Sequence, residues 1–378
     1  MRILHLDPDD LDNPLAGGGP VRTFEICRRL ARRHEITVLT PTFAGSTPEK
    51  MRDGVRYLRV GRKVGNHGSS HHITYLLSLP WAVRRHAHDL LVEDFMPPFS
   101  ATLMPLLRPR GAALVASVQW FQAHDYTRWL KLPFHWGEDY GVRLYSDFVL
   151  LSESMKRRIE SRHPAARCRV VPNGVDDSLF QLSARVGRGI LFLGRLEIET
   201  KGIDLLLEAY ARIPEHQREP LTLAGTVQEP EPLQRLLAQH GLEGWVRLHG
   251  RYDAAQRAAL LEACRFVVMP SRTETFGMTL AEANAAAKPV VLWDVEPMNE
   301  VASSASLRVP AFDVAAYAQA MQSLLAAGDD ELRMRGLQSR VHARRYDWDS
   351  AAEAQERVYL EAVEMQQRRK REVRHVAG

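Results

Sequence analysis

Two glutamates, eight residues apart, flank a candidate anion-binding position in the C-terminal half of the chain. Glu274 lies in a polar loop that contains glycine, and Glu282 lies in the helix predicted to follow it. Backbone N–H groups at such a helix start have no intrahelical partner, so they favour an anion such as a phosphate. Carboxylates on both sides of the phosphate could bind the hydroxyl groups of a sugar nucleotide. Each glutamate alone is more often a solvated surface charge.

Two cations form a second candidate cluster in the same half. Arg195 follows Gly194 at the end of a predicted strand, and Lys201 precedes Gly202 at the start of the next helix. A guanidinium and an ammonium beside a helix start could bind different oxygens of a diphosphate. Two ordinary surface cations would give the same pattern, so the spacing alone leaves both interpretations open.

A run of three glycines, Gly17, Gly18 and Gly19, follows the first predicted strand. Because glycine has no side chain, its backbone N–H group can approach an anion, and the helix predicted from Val21 would add its dipole. Flexible turns use the same residues. The triplet is therefore a candidate for phosphate binding and, equally, for a plain turn.

The composition is that of a globular protein with more than one core. A chain of 378 residues exceeds what one hydrophobic core usually organises, so we expect two domains. An apolar content of 45% and a charged content of 25% are ordinary. The net charge of +4 suits anionic ligands, although a solvated arginine-rich surface explains it as well. No basic stripe interleaved with aromatic residues argues for nucleic acid.

Cysteine usage and hydropathy indicate a cytoplasmic protein. Cys27, Cys168 and Cys264 form neither a disulfide framework nor metal-ligand spacing, as in a reducing compartment. The first residues carry acids where a signal peptide needs an apolar core, and no run of ~18 apolar residues predicts a membrane span. The basic run Arg368–Arg371 could contact anionic lipid at the inner face of the membrane, although a frayed cationic helix end is the simpler interpretation.

Buried strands alternate with amphipathic helices along the chain. The order strand, loop, helix, strand over residues 1–40 predicts a parallel sheet with right-handed crossovers. We expect residues 1–170 to form one doubly wound α/β domain and residues 171–354 to form a second, followed by a long helix. In such sheets ligands bind at the carboxyl ends of the strands, so a nucleotide cleft between the domains is expected.

The segment with the two glutamates closely resembles the E-x7-E signature of retaining glycosyltransferases with the GT-B fold, the family 4-like or group 1 glycosyl transferases. Glu274-Thr275-Phe276-Gly277-Met278 and Glu282-Ala283 match that signature. GILFLGRLEIETKGIDLLLEAY (189–210) resembles the donor-site strand, loop and helix of the family. VVPNGVDDSLF (170–180) resembles its interdomain hinge, and LTLAGT (221–226) resembles its next strand with a glycine turn. The likeness covers most of residues 170–360 and is weaker in the first domain.

The resemblance implies a fold and a set of roles. Two Rossmann-like domains would face a cleft, with the terminal helix, about 355–378, packing back on the acceptor-binding first domain. Arg195 and Lys201 would bind the leaving diphosphate, and Glu274 would hold sugar hydroxyls, as the catalytic set. Glu282 would accept hydrogen bonds from the ribose diol. The other donor-binding residues would be Gly17, Gly18, Gly19, Gly194, Gly225, Phe276, Gly277, Met278 and Thr279, with the backbone amides of 276–278 facing the sugar and phosphates.

Three places depart from the family pattern: Gln119, Lys288, and the segment 295–300, where a glycine pair usually precedes Pro-Glu. The family often has a histidine after the strand near 113–118, where this chain has Gln119, which cannot accept a proton in catalysis. Lys288 replaces a customary glycine, and we expect it at an exposed turn.

Asp7, Asp9 and Asp10 follow the first predicted strand. They could contact an acceptor, but solvated acids in a turn are the favoured interpretation.

No metal or other cofactor is expected. Asp347-Trp348-Asp349 spells the D-x-D pattern that binds a metal–diphosphate in other transferases. The pattern stands directly before a helix, where Asp349 is expected to be the N-cap. Two cations and a helix dipole would make a metal unnecessary.

The resemblance implies transfer of a sugar from a nucleoside-diphosphate sugar to an acceptor hydroxyl, with retention of anomeric configuration. UDP is the default nucleotide from family frequency. The acceptor could be a lipid-linked intermediate, a glycan end or a small natural product. A GT-B epimerase or phosphorylase, or a non-catalytic sugar-nucleotide-binding subunit, is the alternative. An NAD-dependent enzyme is disfavoured because residues 7–20 lack G-x-G-x-x-G.

Overall fold

The computed structural model describes residues 1–13, 16–62, 70–97, 100, 104–109, 111–121 and 123–376. The chain forms two compact units. The first contains Met1–Asn173 together with Trp348–Gly378, and the second contains Gly174–Asp347. Each unit is built on one sheet of mostly parallel strands with helices between them.

Within its described residues, the first unit has an eight-stranded sheet. Its strands are β1 (Arg2–Leu6), β2 (Glu35–Pro41), β3 (Glu49–Arg52), β4 (Val55–Val60), β5 (Leu90–Asp94), β6 (Ala113–Val118), β7 (Asp147–Leu150) and β8 (Arg167–Val170). Their order is β3-β4-β2-β1-β5-β6-β7-β8, and every neighbouring pair is parallel except β3 with β4. The apolar strands were predicted. The exposed edge strand β3 and the short β8 were not, because neither has an apolar pattern.

Helices cover both faces of this sheet. Their bounds are α1 (Gly19–Leu30), α2 (Ser70–Arg85), α3 (Met104–Leu107), α4 (Ala123–Leu130), α5 (His135–Asp139) and α6 (Glu153–Arg162). Side chains alternate along a strand, so Leu4 and Leu6 point to one face and His5 points to the other. Leu4 and Leu6 pack in an apolar cluster that also contains Tyr75 of α2, whereas His5 lies beside Cys27 of α1. Therefore α1 and α2 lie on opposite faces of the sheet.

A buried polar network lies under α1. His5 Nε2 is 3.0 Å from Asp94 Oδ1, and the amide of Gln119 donates to Asp94 Oδ2 at 2.6 Å. Thr23 of α1 also reaches this carboxylate, at 3.4 Å. Burial lowers the pKa of His5, but the charge of Asp94 and the hydrogen bond to it outweigh burial, so that the pKa lies well above its usual value.

The acids after β1 are not a solvated turn, which corrects the expectation for this segment. Asp7 and Asp10 are both buried. Burial raises the pKa of Asp7 well above its usual range. Asp10 accepts from Arg59 Nε at 2.9 Å and from the Thr40 hydroxyl at 2.6 Å. Both acids are thus part of the packed interior. A cation and a hydroxyl satisfy the charge of Asp10, whereas Asp7 accepts from the Asp9 N–H and burial favours its neutral form.

The second unit has six parallel strands among its residues. They are β9 (Ile190–Leu193), β10 (Leu221–Ala224), β11 (Val246–Gly250), β12 (Phe266–Met269), β13 (Val290–Trp293) and β14 (Leu307–Val309), in the order β11-β10-β9-β12-β13-β14. The helices are α7 (Ile198–Lys201), α8 (Ile203–Ala211), α9 (Pro230–Gln239), α10 (Ala254–Ala263), α11 (Met278–Ala285), α12 (Met298–Val301), α13 (Val314–Ala326) and α14 (Asp329–Ala343). The chain winds outward from β9 in one direction and then resumes at β12 on its other side. The switch point, where ligands bind in open sheets, therefore lies between β9 and β12.

Lys288 is not at an exposed turn as expected. Its side chain is buried, and its ammonium group donates to the carbonyl oxygens of Arg185, Glu262 and Cys264 at 3.0, 3.1 and 2.9 Å. Burial lowers the pKa of Lys288. Three carbonyl acceptors satisfy all three of its donors, so the residue ties three backbone segments together inside the second unit.

The final helix, α15 (Trp348–Val376), belongs to the first unit and packs against α1. Arg22 of α1 is buried and donates to the side chains of Asn173 and Gln355 at 2.7 and 2.8 Å. Burial lowers its pKa to about 10. Asp349 was expected to be the N-cap, but it lies inside the first turn, where its carboxylate pairs with Arg29.

Replacing His5 with Gln should remove a pH dependence of stability. The folded-state pKa of His5 is raised, so its stabilising contribution is complete below the unfolded value of about 6.5 and is lost as pH rises through the folded value. We expect the stability of wild type relative to His5→Gln to fall as pH rises from about 6.5, by up to ~1.4 kcal/mol per pH unit. Melting temperatures of both proteins across a pH series measure this difference. Parallel profiles of stability against pH for the two proteins would contradict this role of His5.

Candidate functional site

The two predicted donor-site loops lie side by side because their strands are neighbours. The segment 194–201 follows β9, the segment 270–277 follows β12, and these strands pair in parallel. Gly202 lies at the closest approach of the two segments. Its φ is +65°, and a Cβ there would lie 2.1 Å from the carbonyl oxygen of Pro270. Only glycine fits this position without displacing backbone.

An ion pair joins the two loops. Lys201 Nζ lies 2.6 Å from Glu274 Oε1, and both side chains are mostly buried. The Ser271 hydroxyl donates to the same oxygen at 2.9 Å. The structure thus brings together two residues that the sequence predicted as catalytic, with a serine that the sequence analysis missed.

Arg272 fixes the conformation of the loop at residues 194–201. Its guanidinium binds both carboxylate oxygens of Asp204 at 2.8 and 2.7 Å. It also donates to the carbonyl of Glu199 at 2.7 Å, while its backbone N–H donates to the carbonyl of Thr200 at 3.0 Å. A bidentate pair of this kind sets orientation as well as distance. Arg272 therefore holds the turn that carries Lys201, a role that the sequence pattern did not indicate.

Arg195 follows β9 directly and remains half-exposed. Its guanidinium is 3.1 Å from Glu197 of the same loop. Among the residues that the structure describes, no contact joins Arg195 to Lys201 or to Glu274. The half-exposed guanidinium remains accessible to an anionic ligand.

Glu282 has a different cationic partner. It is buried in α11, and its Oε1 lies 2.5 Å from Arg257 Nη1 of α10. Arg257 Nη2 lies 3.3 Å from Asp176. Burial raises the pKa of Glu282 and the charge of Arg257 opposes that rise. The two predicted glutamates therefore belong to separate ion pairs, and Arg257 was missed because only the tertiary fold places α10 beside α11.

The start of α11 lies against the end of β9. Gly277 is its N-cap with φ +89°, and α11 runs from Met278. The Thr279 hydroxyl donates to the carbonyl of Leu193 at 3.3 Å. The Phe276 ring is buried edge-on against Tyr346, with centroids 5.4 Å apart. At Phe276 only the backbone can face a ligand, as the predicted role requires.

Gly225 and Gly194 end two adjacent strands, and close packing explains one of them. Gly225 has φ +146°, and a Cβ there would lie 1.7 Å from the carbonyl oxygen of Gly194. Gly194 itself has φ +144°. Close packing therefore explains why position 225 is glycine, apart from the donor-binding role predicted for it. Any larger residue would push apart the strand ends that carry the site.

The glycine triplet of the first unit opens α1. Gly18 is the N-cap with ordinary helical angles, and the Gly17 N–H points to Asp9 Oδ2 at 3.4 Å. A Cβ on Gly19 would lie 3.2 Å from Gln119 Oε1. The side chain of Gln119, which stands where the family often has histidine, therefore fills the space beside the triplet and connects it to Asp94.

Within the described ranges, no group of three or more His, Cys, Asp or Glu side chains could hold a metal ion. Cys27, Cys168 and Cys264 are free and buried. No helix in the described part of the chain is long and apolar enough to cross a bilayer.

Two family models match the chain. The model described as "Glycosyltransferase Family 4" matches residues 16–179, and the one described as "Glycosyl transferases group 1" matches residues 187–327. Together they account for most of both units.

Curated relatives are named as glycosyl-transferring enzymes. The chain is 29% identical to a glycogen synthase of Mycobacterium tuberculosis, over 73% of this chain and 68% of the relative. It is 36% identical to a phosphatidyl-myo-inositol mannosyltransferase of Mycobacterium leprae, over 50% of this chain and 52% of the relative. In the mannosyltransferase, the match spans about half of the protein.

A solved structure shares the fold. Sucrose-phosphate synthase from Thermosynechococcus elongatus aligns with a TM-score of 0.80 at 18% identity, covering 95% of this chain and 98% of that chain. The likeness confirms the predicted fold class, GT-B with two parallel-sheet α/β domains.

Replacing Gly225 with Ala should destabilise the second unit by about 3 kcal/mol or more, through both the positive φ and the clash with the Gly194 carbonyl. Gly250 is the matched control, because it has φ +80° but no atom within 4 Å of a Cβ. Gly250→Ala should cost only about 1–2 kcal/mol. Denaturant unfolding measures both variants. An equal loss in the two would show that close approach does not constrain Gly225.

Proposed function

We propose that this chain, which belongs to the glycosyltransferases described by the group 1 and family 4 models, transfers a sugar from a nucleoside-diphosphate sugar to an acceptor hydroxyl with retention. The observation that carries the proposal is the Lys201–Glu274 ion pair at the switch point of the second sheet. It supplies an ammonium for a diphosphate and a carboxylate for sugar hydroxyls at the strand ends where such sheets bind ligands.

The cations would stabilise the departing diphosphate. Negative charge grows on the leaving oxygen as the bond to the anomeric carbon breaks. Lys201, Arg195 and the N-terminus of α11 would meet that charge with donors that are already in place. One such preorganised donor contributes about 3–4 kcal/mol in comparable oxyanion sites.

Donor binding would exchange the partners of the ion pair. In the free protein Glu274 neutralises Lys201 at 2.6 Å. A bound diphosphate would take over the ammonium, and the sugar hydroxyls would become the donors to Glu274. Lys201 keeps an anionic partner in either state, and Glu274 exchanges its ion pair for hydrogen bonds from neutral hydroxyls, so neither group is left buried without a polar partner.

Glu282 would accept hydrogen bonds from the ribose diol. This contact needs an ionised carboxylate, and burial alone would favour the neutral form. Arg257, at 2.5 Å, favours the ionised form and leaves the second carboxylate oxygen for the ribose. We therefore assign Arg257 as a positioning residue for Glu282.

The transfer would proceed on one face of the sugar ring. The bond between the anomeric carbon and the phosphate oxygen breaks, and the acceptor oxygen forms its bond on the same face. The departing phosphate takes the acceptor proton, so no protein base is required. Gln119 cannot act as one. UDP is the proposed nucleotide, no metal is invoked, and the acceptor could be a lipid-linked sugar, a glycan or a small natural product.

Lys201→Ala and Arg195→Ala should each lower turnover of the donor by about a hundredfold or more, because each removes a charge from the leaving group. Nucleoside-diphosphate release from UDP-sugars and GDP-sugars, in the presence of EDTA, measures this. Arg212→Ala is the control, since Arg212 forms an exposed ion pair with Glu208 in the same unit. Unchanged turnover in the first two variants would contradict the assignment. Loss in EDTA with recovery in Mn²⁺ would overturn metal independence, and sugar interconversion without acceptor would indicate an epimerase.

Glu282→Gln should weaken UDP binding by about tenfold or more, because the amide replaces a charged acceptor at the ribose with a neutral one. Inorganic pyrophosphate is the matched ligand control, since it lacks ribose and should bind the variant as it binds wild type. Isothermal titration calorimetry measures both affinities. Equal weakening for the two ligands would show that Glu282 acts on the phosphates or on the fold instead.

A further inference from the structure

Helix α2 carries apolar side chains on two faces. Its inner face packs into the apolar cluster of the first unit through Tyr75, Leu79, Ala82 and Val83. Its outer face presents Ile73, Leu77 and Trp81, whose exposed fractions are 62%, 77% and 63%. These three residues, the outer stripe, are spaced by four and therefore line one side of the helix. A helix that covers a sheet normally has polar residues on that side.

The charged side chains of helix α2 itself are all basic. Residues 70–85 contain no aspartate or glutamate, and the helix ends in Arg84 and Arg85. Both arginines are exposed, and neither has an acidic partner among the residues that the structure describes. The Arg85 guanidinium lies 4.0 Å from the centre of the Trp81 ring. Cations thus adjoin the end of the stripe that carries the tryptophan.

We propose that the outer stripe, with Arg84 and Arg85, docks the first unit on an anionic lipid surface. Isoleucine, leucine and tryptophan would enter the boundary between headgroups and acyl chains, where tryptophan is favoured. The arginines would lie at the level of the phosphates, and each such cation near an anionic surface strengthens binding. The charge and the apolar side chains are complementary to the same partner.

The size of the stripe argues against a second copy of the chain as the occupant. Its exposed apolar area is on the order of 400 Å², judged from typical areas of such side chains. A stable protein interface buries about 800 Å² on each partner. The α2 helix of a second copy would also offer no carboxylate to these arginines. Docking on a bilayer does not require an interface of 800 Å², and anionic lipid headgroups would supply the negative charge.

The basic end of α15 lies near the end of α2. Most of α15 packs on α1, on the other face of the sheet from α2, but Lys370 lines a cavity with His88 and Asp89, which follow α2 in the chain. The run Arg368–Arg371 has no apolar side chain that could enter a bilayer. Docking is therefore assigned to the outer stripe of α2 and not to Arg368–Arg371, the run that the sequence alone suggested. It does not depend on the proposed catalytic function.

Flotation with vesicles tests the proposal. Wild type should float with vesicles of phosphatidylglycerol and phosphatidylcholine in equal parts. Leu77→Gln with Trp81→Gln should lower the bound fraction by about tenfold or more. The matched control is Met334→Gln with Val341→Gln in α14, which changes two side chains of similar exposure, 57% and 72%. Replacing Arg368, Arg369, Lys370 and Arg371 with Gln should leave binding in place. Melting temperatures of all variants verify that each is folded.

Three results would overturn the proposal. The first is equal flotation of wild type and the α2 variant, and the second is loss of flotation only in the C-terminal variant. The third is a wild type that does not float but sediments as a dimer, which the Leu77→Gln substitution dissociates. That result would identify a second copy as the occupant.

Insertion of Trp81 into the bilayer can be measured separately, by fluorescence quenching. Brominated lipid should quench the fluorescence of wild type more than that of Trp81→Phe, and equal quenching would contradict contact of this residue with lipid.

Discussion

The ion pair between Lys201 and Glu274 is the contact on which the candidate site depends. It exists because β9 and β12, distant in sequence, are neighbours in the sheet, so that their following loops meet. Gly202 permits the close approach, and Arg272 fixes the turn that presents the lysine. The backbone around the pair is thus set before any ligand arrives, which lowers the cost of reorganisation when charge develops on a leaving group.

The second unit balances each buried acid of the site with its own cation. Glu274 has Lys201, and Glu282 has Arg257, which also reaches Asp176. This arrangement keeps charged groups stable in a partly desolvated place and leaves them ready to exchange partners with a ligand. The first unit pairs Asp10 with Arg59 in the same way. There, His5 and Gln119 also share the buried carboxylate of Asp94 beneath the glycine triplet.

Much of the fold could be predicted because strands and helices alternate with clear apolar patterns, as in β1, β9 and β12. Edge strand β3 was missed because its side chains are exposed and polar. Lys288, Asp7 and Asp10 were predicted to be solvated, yet they are buried. Partners distant in sequence satisfy Lys288 and Asp10. Arg257 and Arg272 could not be found from the sequence for the same reason. Local pattern places a residue on an element, whereas the partner of its charge depends on which elements meet.

A crystal structure of the protein with UDP tests the central claim most directly. The account predicts that diphosphate oxygens lie within hydrogen-bonding distance, about 2.7–3.2 Å, of Lys201 Nζ and the Arg195 guanidinium, with the ribose on Glu282. Glu274 should then be released from Lys201. UDP bound elsewhere, with the Lys201–Glu274 contact unchanged and no phosphate beside it, would contradict the account.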